Sequence, residues 1–175
     1  MADQDDLPDW LRLTLVPGIG GERQRQLLAA LGPPRQVLSA GRAAITKVIG
    51  NALADRLLDF DSRAAVDTAL AWSKEPGNAI LCLGEPAYPL AFLDIHDPPV
   101  ILYVKGDPAR LNLPSLAMVG ARSATPQGMA TARAFSRSLS HAGLTIVSGL
   151  ALGIDAAAHE GALEGDGSTV AVIGT

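Results

Sequence analysis

Three short apolar runs, at residues 116–119, 144–147 and 169–173, alternate with two segments of helical spacing in the last part of the chain. Each run is too short for a helix, is rich in Val, Ile or Leu, and is bounded by Gly or Ser. Runs of this kind read as strands buried on both faces, and their βαβαβ order implies a parallel sheet. Ligands of such sheets bind beyond the carboxyl ends of the strands, where each turn leads into a helix. The turns after the first two runs are therefore the first places to look for function.

The first turn reads Gly120-Ala121-Arg122-Ser123-Ala124-Thr125-Pro126. Gly120 permits a sharp bend or a close approach of backbone to ligand. Thr125 suits a helix N-cap and Pro126 the first helical position. The helix that follows carries Ala132, Phe135, Leu139 and Ala142 as its apolar stripe and closes at Gly143. Arg122 then stands just ahead of a helix N-terminus, where backbone N–H groups, the helix dipole and a guanidinium converge on an anion site suited to phosphate. The alternative is an ion pair between Arg122 and an acid across the turn.

The second turn, Ser148-Gly149-Leu150-Ala151-Leu152-Gly153-Ile154-Asp155, places two glycines four residues apart just past a strand. Its backbone too can approach a ligand closely. The next helix has a stripe of mostly small residues, Ile154, Ala157, Ala158, Gly161 and Ala162, suited to tight packing on the sheet. Asp155 and His159 share a face. They are either an acid–base pair or a structural pair, in which Asp155 complements the helix N-terminus and His159 hydrogen-bonds to it. The third run ends at Gly174-Thr175. Three strands make a small sheet for this architecture, so the sequence is expected to be the front part of a longer domain.

Composition narrows the function classes. Hydrophobic residues are 48% and charged residues 18% of the chain, enough apolar material for a core. The single cysteine, Cys82, excludes a disulfide framework and a cysteine-based metal cluster, and its apolar surroundings read as core. The acidic start of the chain does not read as a signal peptide, and no apolar run nears the roughly 20 residues that span a bilayer. A soluble, cytoplasmic protein without membrane contact is expected. The net charge of −4 argues weakly against nucleic acid, but charge is unevenly spread. Arg12, Arg23, Arg25, Arg35, Arg42, Lys47 and Arg56 face only Glu22 and Asp55 in their stretch. Lys105, Arg110, Arg122, Arg133 and Arg137 face only Asp107 in theirs.

Residues 1–75 read as a helical domain. Helices are expected at 8–15, up to Leu31, from Pro33-Pro34, at 43–49, and as one broken helix or two from Asn51 onward. The turn Val16-Pro17-Gly18-Ile19-Gly20 is either a helix-hairpin-helix element offering amides to a DNA phosphate or a tight turn between packed helices. Residues 76–175 read as one domain, with strands at 79–83 and 100–104 extending the parallel sheet and a short apolar turn at 90–95.

Several of these stretches together resemble the DNA-processing protein A family, also called Smf. The resemblance lies in Val119-Gly120-Ala121-Arg122 with Thr125 and Gly128, and in Ile146-Val147-Ser148-Gly149-Leu150-Ala151-Leu152-Gly153-Ile154-Asp155 with Ala158-His159. Tyr88-Pro89, Asp97-Pro98-Pro99 and Leu102-Tyr103-Val104-Lys105-Gly106-Asp107 fit it as well. The resemblance implies an α/β fold with an extended Rossmann-like parallel sheet, preceded by a small all-α domain of SAM or helix-hairpin-helix type. It implies binding of single-stranded DNA, loading of the RecA recombinase in DNA uptake, and a homodimer as the full-length protein. No catalytic residue, metal or cofactor is expected. The DNA- or phosphate-binding set it implies is Gly120, Ala121, Arg122, Ser123 and Thr125, with Ser148, Gly149 and Gly153 as donors lining the same pocket. Position 121 is Ala where the family commonly has Ser, a loss of one hydroxyl.

Two other functions compete. A nucleotide-processing enzyme of the lysine-decarboxylase-like phosphoribohydrolase type would need a Pro-Gly-Gly-x-Gly-Thr run with a catalytic Glu, which this sequence lacks. A dehydrogenase would need Gly-x-Gly-x-x-Gly after a strand, also missing. A protein-docking role for the helical lobe is the second alternative.

Overall fold

The computed structural model describes residues 6–174. It forms two compact units that meet in sequence at Pro108 and Ala109. The first holds six helices: α1 (Leu7–Thr14), α2 (Gly21–Leu31), α3 (Pro34–Ser39), α4 (Arg42–Ile49), α5 (Asn51–Asp59) and α6 (Arg63–Ser73). An antiparallel strand pair follows, β1 (Asn78–Cys82) with β2 (Ile101–Lys105).

Helix starts and stops follow local chemistry. Pro residues sit in the first turns of α1 and α3, and Gly32 and Gly50 follow the last residues of α2 and α4 with positive φ. The stretch from Asn51 is two helices, separated around Phe60. Leu13, Val16, Ile19, Leu27, Val37 and Ile45 lead one core cluster, so the turn between α1 and α2 is part of the core. Buried Gln24 ties that turn together, donating to the carbonyls of Ile19 at 2.7 Å and Thr14 at 3.3 Å. Arg56 donates to the Pro17 carbonyl at 3.2 Å. These contacts use the carbonyls of Thr14, Pro17 and Ile19.

Residues 76–108, expected to extend the parallel sheet, instead pack on the helices. Leu11 of α1, Val66 and Ala69 of α6, and Ile80 of β1 share one buried cluster. Trp10, Cys82 and Val100 share another. The apolar sides of β1 and β2 are satisfied there, and the two strands form a sheet of their own. Arg25 of α2 pairs with Asp97 and donates to the Pro98 carbonyl, and Tyr88 donates to the Pro99 carbonyl at 2.6 Å. The Tyr88-Pro89 and Asp97-Pro98-Pro99 motifs thus brace the link between β1 and β2.

The second unit contains β3 (Ser115–Ala117), α7 (Pro126–His141), β4 (Thr145–Ser148), α8 (Ile154–Leu163) and β5 (Thr169–Ala171). The three strands are parallel, in the order β3-β4-β5. Partners in register point to the same face, so Leu116, Ile146 and Thr169 share one side. On that side Ile146 is buried with Ala158 and Ala162, and Met118 and Leu139 pack against them, while Leu116 is exposed. On the other side Ala117 is exposed and Val147 and Val170 are only part-buried. Burial on both faces, expected from the apolar runs, is therefore approached by the central strand β4 and not by β3 or β5 among the described residues.

The stripe expected on α7 also shifts. Its buried residues are Ala132, Ser136 and Ser140, while Phe135 is exposed. The reason is the closeness of α7 to α8. A Cβ on Gly161 would meet the Arg133 carbonyl oxygen, and its carbonyl carbon at 2.9 Å. Helices this close accept only small side chains between them. The two buried serines have partners: Ser140 Oγ donates to the Ala162 carbonyl at 2.7 Å, and Ser136 Oγ lies 3.2 Å from Met118 Sδ.

Candidate nucleic-acid interface

The two glycine turns come together at the carboxyl ends of β3 and β4. Asp155, in the first turn of α8 and buried, joins them. It accepts the Gly120 N–H on Oδ1 at 3.3 Å and the Gly149 N–H on Oδ2 at 3.1 Å. The Ile154 N–H donates to the Ala121 carbonyl at 3.2 Å, a second tie between the same turns. Burial is the largest single influence on the Asp155 carboxyl and opposes its ionisation. The N–H groups of Gly120, Ala151 and Gly149 outweigh it and hold the carboxyl below its ordinary value. The Ser148 hydroxyl donates its one proton to the Met118 carbonyl at 2.7 Å.

The glycines are required by this contact between turns. Gly153 has φ +81°, and a Cβ there would strike the Ala121 carbonyl oxygen and sit 2.6 Å from that of Arg122. At Gly120 a Cβ would lie 2.7 Å from Ile154 Cγ1 and 2.9 Å from its Cβ. Leu150 takes a left-handed backbone, φ 57°, in the strained crest of the second turn.

The expected site residues therefore divide. Gly120 and Gly149 spend their N–H groups on Asp155, Ser148 is buried, and Gly153 is a contact point between turns. The Gly120 and Gly149 amides are therefore not free, whereas the N–H groups of Gly153, Leu150 and Leu152 have no acceptor among the described residues. The N–H groups of Ala121, Arg122 and Ser123 likewise have no acceptor among the described residues. These three residues are exposed. Thr125 Oγ1 accepts the Gly128 N–H at 3.1 Å as the N-cap of α7, which leaves its own hydroxyl proton for a ligand. Arg122 has no ion pair among the described residues, so the expected alternative of an acid across the turn is not what the turn contains. Its neighbours in sequence are neutralised: Arg133 pairs with Glu160 and Glu164, and Arg137 with Glu164. In the first unit Arg12, Arg25 and Arg42 likewise have carboxylate partners.

Asp155 and His159 do not hydrogen-bond to each other as the pair reading expects; each has its own partner. His159 Nδ1 lies 2.6 Å from Thr169 Oγ1, which donates its one proton to the Ile146 carbonyl at 2.9 Å. The imidazole must therefore carry its proton on Nδ1 and leave Nε2 bare; this tautomer is assigned from the proton count. Nε2 is buried and has no partner among the described residues. Burial, more than the opposing pull of Asp155, lowers the His159 pKa and keeps the ring neutral. Sequence reasoning missed the bridge by Asp155, because spacing shows that a carboxylate starts a helix but not which loops its oxygens reach. Among the described residues no cluster of His, Cys, Asp and Glu could hold a metal, and no helix is long and apolar enough to cross a membrane.

Residues 79–175 match the family described as "DNA recombination-mediator protein A". The chain belongs to this family. The recombination-mediator fold is also that of a solved relative, the DNA processing protein A from Streptococcus pneumoniae. That X-ray structure superposes with a TM-score of 0.74 at 29% identity, over 94% of this chain and 57% of that one. By sequence, the Protein Smf of Escherichia coli strain K12 is 31% identical over 171 residues, 97% of this chain and 44% of its own. The DNA processing protein DprA of Streptococcus pneumoniae is 42% identical over 104 residues, 59% of this chain and 36% of its own. The chain thus spans about half the length, or less, of the relatives it matches. The Rossmann-like reading of the parallel sheet agrees with the solved relative.

Proposed function

We propose that this chain carries the backbone-binding loop of a non-catalytic, cytoplasmic protein that holds single-stranded DNA and delivers it to a RecA recombinase, acting as a homodimer in its full-length form. The observation that carries the reading is the turn at 121–123. Among the described residues, three successive exposed amides have no acceptor and flank an arginine with no ion pair, directly ahead of the capped N-terminus of α7. Amides, helix dipole and guanidinium so arranged favour one phosphodiester oxygen pair. The hydroxyls of Ser123 and Thr125 add two neutral donors. Membership of a recombination-mediator family supports DNA as the source of the phosphate and a recombinase as the recipient.

The test is fluorescence anisotropy of a labelled oligo-dT titrated across salt, beside a duplex of equal length. Binding should prefer the single strand and weaken with salt, as counterion release requires. Arg122→Ala removes one charge-assisted contact worth about 1.5–3 kcal/mol, a loss of roughly 10- to 150-fold. The salt slope should fall by about 0.7. The melting temperature should stay put, because Arg122 is exposed. Unchanged affinity in the variant would sink the assignment.

A further inference from the structure

We infer that Asp155 is a built-in anion standing where a nucleotide phosphate would dock, so that the paired glycine loops reject a free nucleotide's phosphate at that position. In nucleotide-binding sheets of this type the phosphate sits on the glycine turn after a strand, against a helix N-terminus, and is held by backbone N–H groups. This chain has both turns, and one carboxylate spans them: Oδ1 takes the Gly120 amide and Oδ2 the Gly149 amide. A Cβ placed on Gly149 would lie 2.9 Å from Asp155 Oδ2, so carboxylate and loop are in close contact. A phosphate entering this position would meet a negative charge at hydrogen-bond range and no unused amide on either glycine. Asp155 also favours the α8 N-terminus as an anion there should.

The consequence is a division of labour. The inner amides hold a fixed carboxylate, and its position sets how the Ala121 carbonyl meets the Ile154 N–H. That contact in turn presents the amides of residues 121–123 outward. Asp155 is thus a positioning residue, and it selects against a terminal phosphate bound deep between the loops. Only the use of the outer turn by DNA rests on the function proposed above; the rejection of nucleotides does not.

The experiment is NMR on the whole chain with ¹⁵N-labelled amides, using inorganic phosphate and then AMP as probes. In the wild type, neither probe should shift the Gly120 or Gly149 amide resonances. Lowering the pH should move both amides together with the Asp155 carboxyl carbon, in one titration whose midpoint lies below the ordinary carboxylate value. Asp155→Asn should abolish that joint titration. Asp155→Ala, which empties both amides, should acquire phosphate-dependent shifts at Gly120 and Gly149. Saturable shifts of these two amides by phosphate or AMP in the wild type would overturn the inference, as would two glycine amides that ignore the Asp155 titration. Both outcomes are read on the wild type, so they stand even where a variant does not fold. If oligo-dT fails to bind while the joint titration appears, the DNA reading falls and the internal anion remains.

Discussion

Gly161→Ala is a substitution whose sign depends on the tertiary structure. In an exposed helix interior the change is favourable by about 1 kcal/mol, because Ala has the higher helix propensity. Gly161 lies inside α8 but buried against α7, and the atoms its new Cβ would meet are backbone: the carbonyl oxygen of Arg133, with its carbon and Cα both at 2.9 Å. Carbon–carbon contacts relax at about 3.5–4.0 Å, so the helices must separate by roughly 0.6–1 Å. No rotamer change can absorb this. Overpacking of a well-filled site costs about 1–3 kcal/mol, and the absence of a movable side chain places the cost in the upper part of that range. The separation would also loosen Ala158 and Ala162 from Ile146. Net destabilisation of about 1–2 kcal/mol follows, a fall in Tm of roughly 2–8 °C for a chain of this size. The assay is thermal unfolding by circular dichroism, with urea titration as a second measure. A melting temperature that is unchanged or higher would refute the claim that backbone contact sets the α7–α8 spacing.

Two further outcomes are expected. His159 is buried with Nε2 bare, and its folded pKa lies below the ordinary value of 6.5. As pH falls below about 6.5 the unfolded chain takes up this proton before the folded one, so the stability His159 contributes is lost on acidification. His159→Asn keeps a donor for Thr169 but does not titrate, and should flatten urea midpoints between about pH 7 and pH 5; an equal slope in both proteins would contradict the burial account. The Cys82 thiol is buried, and burial, helped by nearby Glu85, pushes its pKa up to about 12. It should react with iodoacetamide at neutral pH only as fast as the first unit opens; stoichiometric labelling without denaturant would contradict the packing of Trp10, Cys82 and Val100.

Much of the local structure was legible before the coordinates. The helix from Pro126 capped by Thr125, the parallel strands at 145–148 and 169–171, and the helix stop at Gly32 follow from signals confined to a few neighbouring residues. Arg122 was legible as an anion-binding candidate for the same reason, since its turn, cap and helix are consecutive. The allegiance of residues 76–108 was not. An apolar strand is equally satisfied by a parallel neighbour or by a helical layer, and only the fit of Ile80 between Leu11 and Val66 decides it. Phe135 illustrates the same limit, because helical spacing marks it as a stripe residue while the nearness of α8 admits only serine and alanine on that side.

What the sequence by itself determined is the order of strands and helices, the two glycine turns, and the presence of a charge at Arg122 and another at Asp155. Those follow from propensity, capping and chirality, which act over a few residues. Only the tertiary structure decided which charges are spent and which remain. Asp155 reaches back 35 positions to the Gly120 amide, and Arg133 reaches forward 31 to Glu164. Contacts of that span exist only once β3, β4 and α8 are assembled. They leave Arg122 without an ion pair among the described residues, beside three amides that have no acceptor there.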